Sequence, residues 1–346
     1  MNVPALGSLD HPGAGGNRSD SASPEWLAWL CRAVSVEVLG FRFENACYPI
    51  ELVADAGPPT SLHYYVYSDR LFFDVMELDT QGVPCQRSRT LGRFYNPAYI
   101  AWYGLMALER SLRGPGHWIE AAQVQIDWLV RNAVRRKDGS VVWTFPVDVG
   151  EGKCNLKAPW VSAMIQGLAI SLLVRAHRLG GSRDLIDLCL SSMEVFRKAV
   201  GDGGVRSDYA GCALYEEYPA YPLPRVLDGF LFSLLGLYDL WVETGNSTAR
   251  QLFNDGLRGL VHAMELWNYK NKWSWYGTHG YLSPSHYHQL NRLLLTALAN
   301  VTGESRLSHY AELWNPVRLN TLDRIWLYLV FVSLKNWSRL RSLARR

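Results

Sequence analysis

The stretch LYEEYPAYP, residues 214–222, holds two carboxylates and three phenols within the seven residues from Tyr215 to Tyr221. Carboxyl and phenol groups are side chains that can accept and deliver protons during catalysis. Two prolines interrupt the run, which is typical of a loop rather than of a core element. The stretch therefore indicates either an acid–base site or an ordinary aromatic surface loop.

The composition indicates a globular chain with a large core. Of the 346 residues, 48% are apolar and only 19% are charged, against about a quarter in average proteins. The 14 Trp and 18 Tyr residues suit stacking on sugar rings. They fit equally well the packing of aromatic side chains between helices in a large core. The net charge of +3 is too small to indicate a nucleic-acid partner.

The cysteines and the first residues favour a reducing compartment. The six cysteines form no CxxC pair, so we expect mostly buried thiols. Residues 1–24 are rich in Gly, Pro, Ser, Asn and Asp, which predicts a disordered segment without the apolar region of a signal peptide. We therefore expect a cytoplasmic protein, or one held peripherally at a membrane.

An apolar run near the C-terminus, Ile325–Leu334, is followed by the basic sequence KNWSRLRSLARR. Ten residues are too few to cross a bilayer as a helix. The pattern fits a segment that lies on an anionic membrane surface. It fits equally a terminal helix that packs on the core and has a solvated end.

Helical periodicity dominates after residue 95, and the patterns come in pairs separated by short glycine-containing breaks. This organisation predicts a mainly α fold, an α/α toroid of about four helix pairs, with an irregular bundle as the alternative. The predicted helices cover residues 96–112, 117–134, 159–179, 183–199, 222–243, 248–268, 286–302 and 304–315. The long breaks between pairs, which include 200–221, should gather on one face, where binding and catalysis concentrate.

The sequence predicts four regions. Residues 1–24 are expected to be disordered, and residues 25–93 to hold a helix and a β-hairpin. Residues 94–315 are expected to form the barrel, and residues 316–346 a C-terminal helix with a basic tail. The aromatic and β-branched run 62–78 predicts a hairpin that turns at Ser68–Arg70 and continues into 79–89. Its sequence DTQGVP, residues 79–84, is either a tip that reaches into the cleft or a plain turn.

Five segments resemble the D-glucuronyl C5-epimerases, which act on heparosan and heparan sulfate precursors. They are FYNPAYIAWYGL (94–105), WLVRN (128–132), GEGKCNLKAPWVSAMIQGLAISLLVRA (150–176), YEEYPAYPLPRVLDGFLFSLLGLYDL (215–240) and YHQLNRLLLTAL (287–298). The resemblance covers roughly residues 70–315 and implies an α/α barrel, no metal or organic cofactor, a uronate-containing anionic polysaccharide as substrate, and a homodimer.

The implied reaction inverts C5 of D-glucuronate to give L-iduronate. A base removes the C5 proton, the charge moves onto the carboxylate, and an acid reprotonates the opposite face. The resemblance assigns the catalytic groups to Glu217, Tyr218, Tyr276 and Tyr287. Glu217 and Tyr287 are the expected two-face pair, with Tyr218 and Tyr276 as hydrogen-bond partners or as groups that share the role. Tyr281 is the alternative to Tyr287, but the spacing to Trp314 favours Tyr287.

Substrate contacts are expected from residues in and around the matching motifs. They are His279, His288, Arg225, Lys157, Asn155, Trp160, Tyr95 and Arg87, with Arg89 and Arg93 as further basic candidates near the hairpin. His279 stands where the family has an arginine, so Arg225 or Lys157 is expected to supply the charge. Asn291 stands where the family has a second histidine. Of the paired glutamates, Glu216 is expected to be solvated.

Three functions remain open from the sequence. The leading one is the epimerase, and a polysaccharide lyase would remove the same C5 proton and then expel the C4 oxygen. A glycan-binding protein without catalysis is the third. A metal site is not expected, because His286 and His288 lie two residues apart and would point to different sides of a helix.

Overall fold

The computed structural model describes residues 49–56, 61–69, 76–88, 91–151 and 153–343. Predictions for residues 1–24, for the helix at 24–40 and for Cys31, Cys47 and Arg89 lie outside these residues. Within them the chain is mainly helical with small strand pairs, as the sequence predicts. Cys85, Cys154 and Cys189 are buried and Cys212 is half-buried.

Each helical segment predicted after residue 95 corresponds to a helix. The helices are α1 Pro97–Arg113, α2 Trp118–Arg131, α3 Ala163–Arg178, α4 Asp184–Ser192, α5 Leu227–Thr244, α6 Ser247–Ala263, α7 Ser285–Thr302, α8 Ser305–Leu313 and α9 Thr321–Leu343. Helix α3 begins later than predicted because Trp160–Val161 pairs with a strand. Helix α5 also begins late, since Pro222 and Pro224 precede it and Arg225 has a φ of 47°.

Local capping explains where the helix pairs turn. The side chain of Asn246 accepts hydrogen bonds from Thr248 N and Ala249 N at the start of α6. Gly245 and Gly303 end α5 and α7 with φ values of 65° and 73°, a left-handed conformation that glycine adopts without a steric penalty. Each pair therefore reverses within a few residues, which packs its two helices antiparallel.

Four helices lie inside and four outside. Helices α1, α3, α5 and α7 contact one another in chain order, and α2, α4, α6 and α8 each pack on the helix that precedes them. Nearly every residue of α3 and α5 is buried, whereas α6 buries only one stripe, which includes Leu252, Phe253 and Leu260.

Short antiparallel strand pairs fill the connections. The strands are β1 Glu51–Leu52, β2 Val66–Tyr67, β3 Glu77–Leu78, β4 Pro84–Ser88, β5 Gly92–Phe94, β6 Val134–Arg135, β7 Val141–Val142, β8 Thr144–Phe145, β9 Val149–Glu151, β10 Cys154–Leu156, β11 Trp160–Val161, β12 Arg206–Tyr209, β13 Cys212–Tyr215, β14 Asn268–Tyr269 and β15 Trp273–Ser274. The pairs are β1–β2, β3–β4–β5, β6–β7, β8–β11, β9–β10, β12–β13 and β14–β15.

Part of the predicted turn at Ser68–Arg70 and most of the strand after it lie outside the described residues, which omit 70–75. Among the described residues, strand β2 pairs with β1, and β3 and β4 form a hairpin. Tyr64 to Tyr67 are all inside the core. The sequence 79–84 is a turn packed on α2, because Gly82 O accepts a hydrogen bond from Gln125 Nε2.

A buried ion pair joins the C-terminal halves of α3 and α5. Arg175 Nη1 lies 2.6 Å from Asp239 Oδ2, and both side chains are almost fully buried. The segment before β2 completes the cluster, since Tyr65 Oη donates to Asp239 Oδ1 and His63 O accepts from Arg175. A buried pair of this kind is retained only when its remaining polar atoms are also satisfied.

The closest helix contact in the core is the crossing of α3 and α5. A Cβ built on Gly167 would lie 2.6 Å from Phe232 O, and one built on Gly236 would overlap the backbone of Gly167. The two backbones therefore touch directly, and neither position has room for a side chain. This contact sets the separation of the two helices at their crossing.

Replacing Gly167 with alanine should destabilise the fold, although alanine favours an isolated helix by about 1 kcal/mol. We expect a loss of roughly 2 kcal/mol or more in the free energy of unfolding, because the new methyl group meets backbone that cannot move aside. Urea denaturation measures this directly. Gly201→Ala is the control, since nothing lies within 4 Å of a Cβ there, and equal stability of the two variants would contradict the close crossing.

Candidate functional site

A cleft of about 810 Å³ opens where the N-terminal ends of the four inner helices meet. Its wall takes Asn96 and Tyr99 from the start of α1, Ser162 and Met164 from α3, Asp228 from α5, and His286, Tyr287 and Leu290 from α7. The N-terminus of a helix carries a partial positive charge, so this geometry favours an anionic ligand.

Glu217 enters the cleft from the loop after β13. The backbone of its neighbour Glu216 is fixed at both ends, because Glu216 N donates to Val205 O at 2.8 Å and Glu216 O accepts from Ala163 N at 3.1 Å. The Glu217 side chain is mostly buried and crosses α5 at Gly229, where a Cβ would overlap its carboxyl group. The glycine therefore provides the space that the carboxylate occupies.

Asp228 is a second carboxylate in the cleft, and the sequence interpretation missed it. It is buried in the first turn of α5 and lies near Tyr99, whose pKa is raised by burial and then by the charges of Glu217 and Asp228. An acidic residue in the apolar helix sequence VLDGFLF is unusual, and that contrast was the available signal.

Three phenols converge beside the two carboxylates. The ring of Tyr276 lies 5.1 Å from that of Tyr287, and Tyr218 lines the same cleft. Burial raises the pKa of Tyr276 well above its ordinary value, and the neighbouring Tyr218, Tyr287, Glu217 and Asp228 raise it further. Tyr276 is therefore a protonated hydrogen-bond donor at neutral pH rather than a base.

Backbone hydrogen bonds hold the loop that carries Tyr276 against the start of α5. Leu227 N donates to Tyr276 O at 3.3 Å, and Thr278 N donates to Pro224 O at 2.7 Å. The loop that carries Glu217 leads directly into this segment. The two loops are consequently positioned as one unit.

An aromatic wall forms one side of the cleft. Trp160 lies between Phe145 and Tyr218, at ring distances of 5.0 and 5.6 Å. Trp160 Nε1 donates to Val147 O, which fixes the orientation of the indole. A flat, rigid apolar face of this kind suits the face of a sugar ring.

Glu216 is not solvated, so that prediction is wrong. Its side chain is 1% exposed, and Ser207 Oγ donates to Glu216 Oε1 at 2.5 Å. Burial raises the pKa of Glu216 to about 7, although Ser207 and the charge and backbone N–H of Arg225 oppose the shift. The residue joins strand β12 to the segment that enters α5, beneath the site.

Of the predicted substrate contacts, Trp160 lines the cleft, whereas four others do not belong to its lining. Arg87 is 65% exposed and pairs with Glu77, and Lys157 is 84% exposed and pairs with Asp148. Tyr95 Oη donates to Asp79 Oδ2, and Asn155 is exposed on β10. Strand alternation explains Arg87, because its neighbour Gln86 takes the inward position and lines the cleft.

Arg225 and His279 lie behind the cleft wall. The Arg225 guanidinium packs over the Tyr209 ring at 4.9 Å and donates to Asp208 O, and it is not among the residues that line the cleft. His279 packs edge-on against Tyr276 and Tyr281, at ring distances of 5.6 and 4.7 Å. Contacts of these residues with a longer polymer stay a prediction.

His288 cannot contact a substrate, so its predicted role is wrong. It is fully buried and stacks on Trp273 at 3.5 Å. Ser274 N donates to His288 Nδ1 at 3.1 Å, which leaves Nε2 as the protonated nitrogen that donates to Trp314 O at 2.8 Å. The imidazole therefore joins the loop of Tyr276 to the end of α8.

Protonation of His288 should unfold the protein at acidic pH. Burial lowers the pKa of His288 from 6.5 to about 3. Between these values the unfolded chain binds a proton that the folded chain does not, so the free energy of unfolding falls as the pH falls. The expected contribution is about 1.4 kcal/mol for each pH unit below 6.5.

Chemical denaturation of the wild type and of His288→Gln at pH 7 and pH 5 measures this contribution. At pH 7 the variant should be less stable than the wild type. Between pH 7 and pH 5 its free energy of unfolding should fall by about 2 kcal/mol less than that of the wild type. His309→Gln, at an exposed position on α8, serves as the control. If the wild type and His288→Gln lost the same free energy of unfolding between pH 7 and pH 5, the neutral, hydrogen-bonded imidazole would be contradicted.

Comparisons with known proteins match this chain to one family. Residues 137–316, more than half of the chain, match the family model described as D-glucuronyl C5-epimerase C-terminus. A D-glucuronyl C5-epimerase of Caenorhabditis elegans is 33% identical over 208 residues, which cover 54% of this chain and 33% of the relative. An uncharacterized protein of Methanocaldococcus jannaschii is 27% identical over 164 residues, 46% of this chain and 53% of that protein.

The chain thus spans about a third of the length of the nematode relative and about half of the archaeal one. The family match includes the loop of Glu217 and Tyr218 and the elements that carry Tyr276 and Tyr287. The chain belongs to the D-glucuronyl C5-epimerase family.

Proposed function

We propose that this protein is an epimerase that converts D-glucuronate to L-iduronate at C5 within a polysaccharide of the heparosan type. The observation that carries the proposal is the convergence of Glu217 with Tyr218, Tyr276 and Tyr287 in one cleft, beside a flat aromatic wall.

We also propose that the helix pairs form an α/α toroid. Its inner helices contact one another in order, and β1 and β2 pack on α7.

Glu217 removes the C5 proton from one face of the sugar. The electron pair of the broken C–H bond moves onto the uronate carboxyl group, and the Tyr287 phenol delivers its proton to the opposite face. Glu217 ends protonated and Tyr287 ends as a phenolate, so proton exchange with solvent restores both groups. Each group works as acid or base depending on the direction of the reaction.

The developing negative charge needs donors, because the C5 proton is weakly acidic. Tyr276 fits this role, since its phenol stays protonated and lies beside Tyr287. Hydrogen bonds that strengthen as charge develops in a water-excluded site are among the largest catalytic contributions. Tyr218, against Trp160, is the second phenol available for this role.

Helix ends replace cations in holding the carboxylate of the substrate. Among the described residues that line the cleft there is no Lys or Arg, and its acidic groups are Glu217 and Asp228. The N-terminal ends of α1, α3, α5 and α7 face the same cleft, and their partial charges favour an anion. Neutral donors such as Gln86, Asn96 and Ser162 stand at the wall to complete the contact.

An isotope experiment tests the reaction. In deuterated water, NMR of a glucuronate polymer incubated with the protein should show deuterium at C5 and new iduronate units. Glu217→Gln and Tyr287→Phe should each lower the rate of conversion by a factor of 100 or more, roughly the contribution of one general acid or base. Tyr221→Phe is the matched control, because Tyr221 is 70% exposed and is not among the residues that line the cleft.

The products separate the rival functions. An unsaturated uronate that absorbs ultraviolet light would identify a lyase. Binding of the polymer without any C5 exchange would identify a glycan-binding protein. Either result, with the fold intact, would overturn the epimerase.

A further inference from the structure

Exposed apolar side chains concentrate near the C-terminus, away from the cleft. Of the 13 large hydrophobic residues that are exposed in the described part of the chain, five lie between Val317 and Leu329. Val317 and Leu322 are 85% and 77% exposed, and Ile325, Trp326 and Leu329 are 50–54% exposed. Contiguous exposed apolar residues of this kind mark interaction surfaces more often than scattered single ones.

Four of these residues form a stripe along α9. At about 100° for each residue, Leu322, Ile325, Trp326 and Leu329 fall within an arc of about 100°. The opposite side of the helix carries Leu327 and Phe331, which are buried against Tyr269, Trp273 and Leu282. The helix is therefore apolar on two sides, and the described residues of the chain cover only one of them.

One exposed lysine lies beside this stripe, and the sequence that follows it is basic. After Asp323, which pairs with Lys272, the sequence contains no acidic residue. Its basic residues are Arg324, Lys335, Arg339, Arg341, Arg345 and Arg346. Exposed Lys270, in the turn between β14 and β15, stands 5.1 Å over the Trp326 ring.

Trp326 lies at the edge of the stripe with its polar atom held. Its Nε1 donates to Tyr269 Oη at 3.1 Å, while half of the residue stays exposed. An indole with one satisfied polar atom and an exposed apolar face is the arrangement favoured at the boundary between water and lipid.

We propose that the stripe Leu322–Ile325–Trp326–Leu329 and the basic sequence after it bind the surface of an anionic lipid membrane. No helix in the described part of the chain is long and apolar enough to cross a bilayer. The apolar side chains enter the boundary between headgroups and acyl chains, and the basic residues attract the anionic headgroups. A second copy fits this surface poorly, because two such surfaces would bring like charges together.

Vesicle sedimentation with the full chain tests this surface. The vesicles are phosphatidylcholine alone, or phosphatidylcholine with about a third phosphatidylserine. The wild type should bind the anionic vesicles at least tenfold more strongly than the neutral ones, and salt should weaken the binding. The double variant Ile325→Ser/Leu329→Ser should bind at least about tenfold more weakly, because one buried Leu or Ile side chain is worth that factor.

Ile119→Ser/Val130→Ser on α2 is the matched control, since these residues are 41% and 40% exposed and lie on another helix. It should bind as the wild type does, and both double variants should keep the wild-type melting temperature and C5 exchange rate. Hydrogen exchange of the wild type adds a test that needs no variant, because anionic vesicles should protect residues 321–343.

Three results would overturn the proposal: no binding of the wild type to anionic vesicles, equal binding of the two double variants, or protection outside α9. A wild-type dimer that the stripe variant dissociates, without any vesicle binding, would assign the surface to a second copy instead.

Discussion

The direct backbone contact between α3 and α5 determines the geometry of the site. Gly167 and Gly236 allow a separation that no residue with a side chain would permit. Helix α3 begins just after Trp160 and α5 follows the loop of Glu217, so the aromatic wall and the carboxylate both lead into this helix pair. The ion pair of Arg175 and Asp239 joins the same two helices nearer their other ends, and so resists splaying.

A second constraint follows from crowding of acidic groups in a buried cleft. Glu217, Asp228 and three phenols lie together, and the mutual effect is visible in the raised pKa of Tyr276. A chain stabilises such a cluster only with fixed donors and dipoles, and four helix N-termini serve that purpose here. The same partial charges favour an anionic ligand in the cleft.

Sequence periodicity predicted the helices, and the resemblance to the family led to four residues of the cleft. Apolar periodicity and glycine breaks are local signals, so the existence and order of the helices follow from the sequence, whereas several of their ends do not. Glu217, Tyr218, Tyr276 and Tyr287 came from resemblance to the family, and the structure brings all four into one cleft. No local rule would have selected Tyr218, Tyr276 and Tyr287 among the 18 tyrosines of the chain.

The predictions that were wrong concern which side chains are buried. Burial depends on contacts with residues that lie far away in the sequence. His288 is internal because Ser274 and Trp314 each supply a hydrogen bond, and Glu216 is internal because Ser207 and Arg225 lie against it. Arg87 points outward because the register of a five-residue strand turns Gln86 inward.

Exchange from single epimers distinguishes the proposed roles of Glu217 and Tyr287 on opposite faces of one sugar. C5 deuterium uptake is followed separately for a polymer of D-glucuronate units and one of L-iduronate units, with Glu217→Gln and with Tyr287→Phe. Each variant should lose conversion but keep exchange from one epimer, a different one for each, because the remaining base still works on its own face. Loss of exchange from the same epimer in both variants would contradict the two-face assignment.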